Sequence, residues 1–207
     1  MQIDEDKAAL IEALAQNAAF DGWTEKSLRL ALAGLGRDAA EAALAFPGGR
    51  AEMIEAYFTL GDERVVAMLR GQMPDSGLTA RVRAGVVTRL DLMQGEKEAV
   101  RRALSWLGLP PNAPRLARVI ARMADSIWFA AGDSSADMSW YSKRTILGAV
   151  LLATLLYWLS DTSLDSSKTQ AFLDRRLADT RLLGKLKARL PRLRPLPGLP
   201  QMADLGR

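Results

Sequence analysis

Between Arg144 and Asp161 lie sixteen residues without a charge. Ile146, Leu147, Val150, Leu151, Leu152, Leu155, Leu156, Tyr157, Trp158 and Leu159 place apolar side chains on nearly every side of the helix this segment would form. A helix apolar all round cannot stand in water and has to be surrounded by core or by a partner. The run falls short of the ~20 residues that a bilayer span needs, so a buried core helix over 140–160 is predicted rather than a membrane crossing.

The rest of the chain supplies helices to surround it. Leu10, Ile11, Leu14 and Ala18 paint one stripe at helical spacing. Thr24 is placed to cap a second helix containing Leu28, Leu32 and Leu35. A short third helix over 38–46 stops at Pro47-Gly48-Gly49, and a long fourth carries Met53, Ile54, Tyr57, Phe58, Val65, Met68 and Leu69 toward Met73-Pro74. Further helices are predicted over 78–94, 97–107, 114–131, 140–160 and 166–190, and no stretch alternates as a strand would. The expected fold class is all-α with about nine helices: one helical domain over 1–190, divided at residue 48, and an irregular tail over 191–207. Pro191, Pro195, Pro197 and Pro200 prevent the last helix from continuing into that tail.

The chain has no Cys and no His. This removes disulfides, thiolate ligands, Ser-His-Asp triads and His-based acid–base catalysis, and with them nearly all zinc chemistry. No cluster of carboxylates, lysines or tyrosines stands out in their place, so a protein without catalytic residues and without a metal or other cofactor is expected. Residues 1–7 are acidic where a signal or transit peptide would be basic, so no targeting peptide is expected there. Charge is unevenly distributed. Arg175–Arg194 holds eight Lys/Arg and one acid, a net of +7 against +4 for the whole chain, which leaves −3 for everything else.

The densest group of chemically distinctive residues is Asp125-Ser-Ile-Trp128-Phe-Ala-Ala131-Gly132-Asp133-Ser-Ser135-Ala-Asp137-Met-Ser-Trp140-Tyr141-Ser-Lys-Arg144. Adjacent helical residues point about 100° apart, so Trp140 and Tyr141 cannot both face one core stripe. Arg144 lies one turn further on, and Trp, Tyr and Arg supply most interface hot spots. Asp137, Trp140, Tyr141 and Arg144 are therefore candidate partner-binding residues, against the plainer reading in which Trp140 packs and Tyr141 lies along a neighbouring helix. Asp133, Ser135 and Asp137 match the first three ligand positions of a calcium loop. Met138 and Arg144 stand where such a loop needs Gly and Glu, so a helix cap from Asp137 or Ser139 is expected instead of a metal.

With Phe172-Leu173 and Arg176 further on, these residues resemble the family of ubiquinone (coenzyme Q) biosynthesis accessory proteins, over roughly residues 8–180. The resemblance implies a TetR-like helical bundle, a degenerate helix-turn-helix module at the N-terminus, lipid binding without catalysis, and docking of the demethoxyubiquinone hydroxylase at the Trp140-Tyr141 surface. It also implies an isoprenoid quinone or phospholipid as ligand. On the predicted helices 114–131 and 140–160, Met123, Ile127, Leu147, Leu151 and Leu155 are the candidate lipid-binding residues, although a filled core would use the same residue types. By fold analogy a homodimer is expected through helices 140–160 and 166–183.

Toward the C-terminus Leu182, Leu183 and Leu186 alternate with Lys185, Lys187 and Arg189. This is the pattern of a segment lying on an anionic membrane surface, and these six are the candidate membrane-contact residues. The expected location is peripheral to the bacterial inner membrane, or on the matrix side of a mitochondrial one. Two other classes stay open. A TetR-like ligand-responsive regulator would read DNA with its third helix, but Asp38-Ala-Ala-Glu41-Ala-Ala-Leu-Ala-Phe46 offers acids and alanines where base edges and phosphates need cations and amides, so no nucleic-acid partner is expected. A helical interaction protein without a lipid pocket would still use Trp140 and Tyr141.

Overall fold

A computed structural model describes residues 3–71, 77–133, 138–163 and 165–189, with the helix backbone alone for 138–141 and 181–189. Nine α-helices and three short 3-10 turns account for nearly all of the described residues, and none of these residues is in a strand. The helices are α1 (Glu5–Asp21), α2 (Glu25–Gly34), α3 (Ala42–Ala45), α4 (Gly49–Leu69), α5 (Leu78–Leu92), α6 (Lys97–Leu107), α7 (Ala113–Ala130), α8 (Met138–Ser160) and α9 (Ser167–Arg189).

Local chemistry sets the starts of the first helices. The Asp4 side chain accepts from Lys7 N at 2.7 Å and caps α1, and Thr24 accepts from Ser27 N and caps α2 as its position predicts. Leu10, Ile11, Leu14, Ala18, Leu28 and Leu32 are buried. Leu35 differs from expectation: α2 ends at Gly34, and Leu35 is an exposed C-cap residue. Met68 is likewise exposed on α4, which ends at Leu69, short of Met73-Pro74. The third helix is shorter than predicted. Asp38 and Glu41 form a capping box around a 3-10 turn, and only Ala42–Ala45 is α-helical.

α1 packs on α2 and α6, α4 on α7, α7 on α8, and α8 on α9. The N-terminal helices are pinned to this bundle by Trp23. Its indole is buried, donates Nε1–H to the Ala99 carbonyl at 2.9 Å, and packs on Tyr57 with ring centroids 5.1 Å apart. Tyr57 in turn donates its hydroxyl to Glu96 at 2.7 Å.

A buried ion pair lies under α4. Arg89 of α5 is 2% exposed, donates to the Phe58 carbonyl at 3.1 Å, and places Nε 3.3 Å from Asp62 Oδ1. That last contact is attraction between charges without hydrogen-bond alignment, since both atoms lack a hydrogen-bond partner among the described residues. The guanidinium occupies the space above Gly61. Burial pushes the Asp62 carboxyl up to about 6 despite the opposing pull of Arg89.

The predicted core helix is α8, with Leu147, Val150, Leu151, Thr154, Leu155, Trp158 and Leu159 buried. Its stretch Ser142–Ser160 is long and apolar enough to cross a membrane by length and composition, but it packs against α7 and α9 as a core helix does. It is not surrounded on every side, however. Ile146 (43% exposed) and Leu156 (55% exposed) remain open, as do Thr145 and Ala149. The helix begins at Met138, so Ser139 lies in its first turn instead of capping it.

At the far end of α8, α6 supplies cations to carbonyls the helix leaves unsatisfied. Lys97 Nζ reaches the Asp161 carbonyl at 2.8 Å and Arg101 reaches the Leu159 carbonyl at 2.6 Å. Asp161 then holds the turn into α9. Its carboxylate accepts from Ser163 N (2.9 Å) and Oγ (2.6 Å) and from Thr169 N (2.9 Å) and Oγ1 (2.6 Å). Burial raises that carboxyl, but the four hydrogen bonds outweigh it and hold the group well below the ordinary carboxylate range.

Candidate functional site

Four helices converge on an apolar cavity of about 200 Å³. Leu78 and Val82 of α5, Leu147 and Val150 of α8, and Leu177 of α9 form apolar walls, with Ile146 at the exposed edge of α8. Thr79, Thr180, Lys143 and Trp128 add polar atoms. The helices approach closely because Gly85 of α5 lies against Ile127 of α7: a Cβ on that glycine would fall 2.8 Å from Ile127 Cγ2. Arg83 fixes α5 to α9 through a two-pronged contact with Asp174 at 2.6 and 3.1 Å.

The polar end of the cavity lies where α7 meets the start of α8. Lys143 Nζ sits 5.7 Å from the centroid of the Trp128 ring and pairs with Asp133 at 2.9 Å. The Asp133 side chain is only 6% exposed. The Trp128 Nε1–H is buried and has no hydrogen-bond partner among the described residues.

The opposite side of the α7–α8 pair carries an open apolar groove of about 520 Å³. Leu116, Ala117, Ile120 and Ala121 of α7 face Gly148, Ala149 and Leu152 of α8 across it, and an Arg144–Asp125 ion pair lies at one end. Gly148 lets the helices close up here, since a Cβ on it would be 3.2 Å from Ile120 Cγ2.

Of the sequence-predicted lipid-binding residues, Leu147 lines the cavity. Met123, Ile127, Leu151 and Leu155 are buried in the core and are not part of the cavity wall. Arg144 lies on the groove side, bound to Asp125. Asp137 and the side chains of Trp140 and Tyr141 lie outside the described residues, although the α8 backbone places 140 and 141 within one turn of Lys143. The side chains of Leu182, Leu183, Lys185, Leu186, Lys187 and Arg189 also lie outside them; the backbone there continues α9 without a break from Leu177 and Thr180 of the cavity. The tail over 191–207 lies outside as well.

Sequence reasoning did not nominate the α5 and α9 walls, which adjoin α8 in space and not in the chain. Lys143 and Trp128 were within reach, since both belong to the motif between Asp125 and Arg144.

Residues 113–184 match the model of the COQ9 family. The ubiquinone biosynthesis proteins COQ9, mitochondrial, of Rattus norvegicus and Homo sapiens are each 32% identical to the chain over 171 residues, covering 79% of the chain and 54% of each relative. This chain is similar to the COQ9 proteins. It spans about half the length of the curated relatives it matches. The probable ubiquinone biosynthesis protein coq9, mitochondrial, of Dictyostelium discoideum is 34% identical over 106 residues, covering 50% of the chain and 34% of that relative.

The COQ9-matching stretch contains α7, α8 and most of α9, and so all of the cavity wall except its α5 side. The fold of the COQ9-like chain is that of TetR regulators. The crystal structure of the TetR transcriptional regulator from Nitrosomonas europaea ATCC 19718 superposes with a TM-score of 0.68 at 20% identity, covering 86% of the chain and 99% of that protein.

Proposed function

We propose that this COQ9-like chain serves ubiquinone biosynthesis as a non-catalytic lipid-binding protein, presenting a polyprenyl quinone intermediate to the demethoxyubiquinone hydroxylase. The observation that carries this reading is the cavity between α5, α7, α8 and α9, an apolar space walled largely by the COQ9-matching stretch. Pockets that bury a drug-sized ligand run from ~300 to ~1,000 Å³. At about 200 Å³ the cavity suits a ring with its first isoprene unit, and the remaining tail would leave along the exposed edge at Ile146. Native mass spectrometry of the purified protein, followed by organic extraction, tests this. Bound isoprenoid quinone or phospholipid is the expected result. A ligand-free mass with no uptake of added quinone would reject lipid binding and leave an interaction module.

Docking of the hydroxylase would use the start of α8, Asp137, Trp140, Tyr141 and Arg144, next to the polar end of the cavity. Trp140→Ala with Tyr141→Ala should abolish hydroxylase pull-down while the circular dichroism spectrum is kept; unchanged pull-down would reject this surface. The open side of α8, with Ile146 and Leu156 exposed, supports a homodimer seam on that helix. A regulator reading is disfavoured by α3, whose preceding acids are engaged in a capping box and whose four residues present only Ala and Leu.

A further inference from the structure

Trp128 sets a requirement on what the cavity holds. Its Nε1–H is buried without an acceptor among the described residues, on a residue that forms part of the cavity wall. A buried donor left unpaired costs about 1–3 kcal/mol, and structures rarely tolerate that without compensation. Trp158 and Trp23 show the usual outcome in this same chain, with their indoles donating to Gln94 Oε1 at 3.0 Å and to the Ala99 carbonyl at 2.9 Å. Trp128 alone among these three leaves its indole N–H without an acceptor among the described residues.

Resting on the lipid-binding reading above, we infer that Trp128 Nε1–H is a specificity-determining donor for a neutral oxygen acceptor, the ring carbonyl of a prenylated quinone. Two features favour a neutral acceptor over a phosphate headgroup. The Lys143 ammonium at this end is already neutralised by Asp133 at 2.9 Å. A phosphate would also bring a second anion toward the nearly enclosed Asp133 carboxylate, where charges are poorly screened. The polar end therefore orients the ligand, with its oxygenated ring beside Trp128 and Lys143, one helical turn from residues 140 and 141, and its hydrocarbon toward the α5, α8 and α9 walls.

The test compares three probes on the full chain: a benzoquinone bearing a short prenyl tail, the prenyl hydrocarbon of the same tail, and phosphatidylglycerol. Trp128→Phe keeps the aromatic wall and removes only the donor. The quinone affinity should fall roughly five- to tenfold, the effect of one hydrogen bond, while the hydrocarbon affinity stays unchanged. In the wild-type protein the Trp128 indole N–H proton resonance should shift on adding quinone and stay fixed with the hydrocarbon, a readout that does not depend on the variant folding. Equal weakening of quinone and hydrocarbon would overturn the inference, because the indole would then act as packing alone. Unchanged affinity for both would overturn it in favour of a bound water. A loss for phosphatidylglycerol matching that for quinone would overturn the preference for a neutral acceptor. Wild-type protein that takes up none of the three would reject the lipid-binding reading itself, which is a different result from a Trp128→Phe variant that binds as wild type does.

Discussion

Gly61→Ala should destabilise this protein although it adds a single methyl group to the middle of a helix. On α4 an alanine Cβ would lie 2.5 Å from Arg89 Nη2 and closer still to Nη1 and Cζ. A guanidinium at the end of a flexible side chain ordinarily gives way to such a collision, but this one is enclosed. The adjoining void, bordered by Gly61, Arg89, Leu92 and Met93, is about 20 Å³, room for about one water but not for a displaced guanidinium. Arg89 must therefore withdraw from the Phe58 carbonyl and from Asp62. A hydrogen bond to a charged group contributes about 1.5–3 kcal/mol, and a buried carboxylate left without its counter-charge adds to that loss. Helix propensity offsets about 1 kcal/mol, because Ala is favoured over Gly in a helix interior. The net loss should be about 2–4 kcal/mol, or a fall in Tm of about 5–10 °C for a chain of this size. Thermal and denaturant unfolding measure it. In an Arg89→Met background the same Gly61→Ala change should become neutral or stabilising, since the collision is gone and only propensity remains. A Gly61→Ala protein as stable as wild type, or one whose loss persists unchanged beside Arg89→Met, would refute the reasoning.

Three further outcomes follow from the same structure. Asp161→Asn should lower stability by about 2–3 kcal/mol at neutral pH, because the hydrogen bonds from Ser163 and Thr169 to a carboxylate are impaired. The native carboxyl is depressed below its ordinary 3.8, so the difference between wild type and variant should be full above about pH 4 and shrink as pH falls further, which urea titrations at pH 7 and pH 3 would detect. Asp62 has the opposite sign. Its carboxyl is raised to about 6 in the native state, so its contribution should decline as pH rises from about 4 to about 6, and Asp62→Asn should flatten that part of the stability profile measured by denaturant midpoint. Deleting residues 182–207 should abolish flotation with anionic liposomes while leaving the bundle folded; retained flotation would reject membrane contact by this segment.

The sequence made the helices legible and the cavity illegible, for one physical reason. Helical periodicity is local, so α6 emerges from it residue for residue and α5 and α7 to within two residues, and α2 starts directly after its expected cap Thr24. Exceptions arose where termini depend on capping, as at Leu35, or where side chains cap a turn instead of extending a helix, as with Asp38 and Glu41. A cavity depends on how far apart four helices stand, and the same leucines serve a filled core or an open wall. Met123, Ile127, Leu151 and Leu155 were reasonable candidates on apolarity, yet a rotation of about one residue around each helix separates them from the wall that Trp128, Leu147 and Val150 form. Close approach was the missing variable. It is set by Gly85 and Gly148, whose sequence contexts do not reveal which neighbour they meet.

The clamp at the distal end of the α8–α9 hairpin has a mechanical consequence. Lys97, Arg101 and Gln94 anchor α8 near Trp158–Asp161, and Asp161 ties that anchor to the first turn of α9. The hairpin is thus a cantilever, fixed at its turn and loaded at its other end, where Lys143–Val150 and Leu177–Thr180 bound the cavity. Widening the cavity for a guest would bend the two helices away from this turn and load the ion pairs Lys143–Asp133, Arg144–Asp125 and Arg83–Asp174 at the other end. On α8 that end carries Trp140 and Tyr141, and on α9 it carries the basic, leucine-rich stretch beyond Thr180.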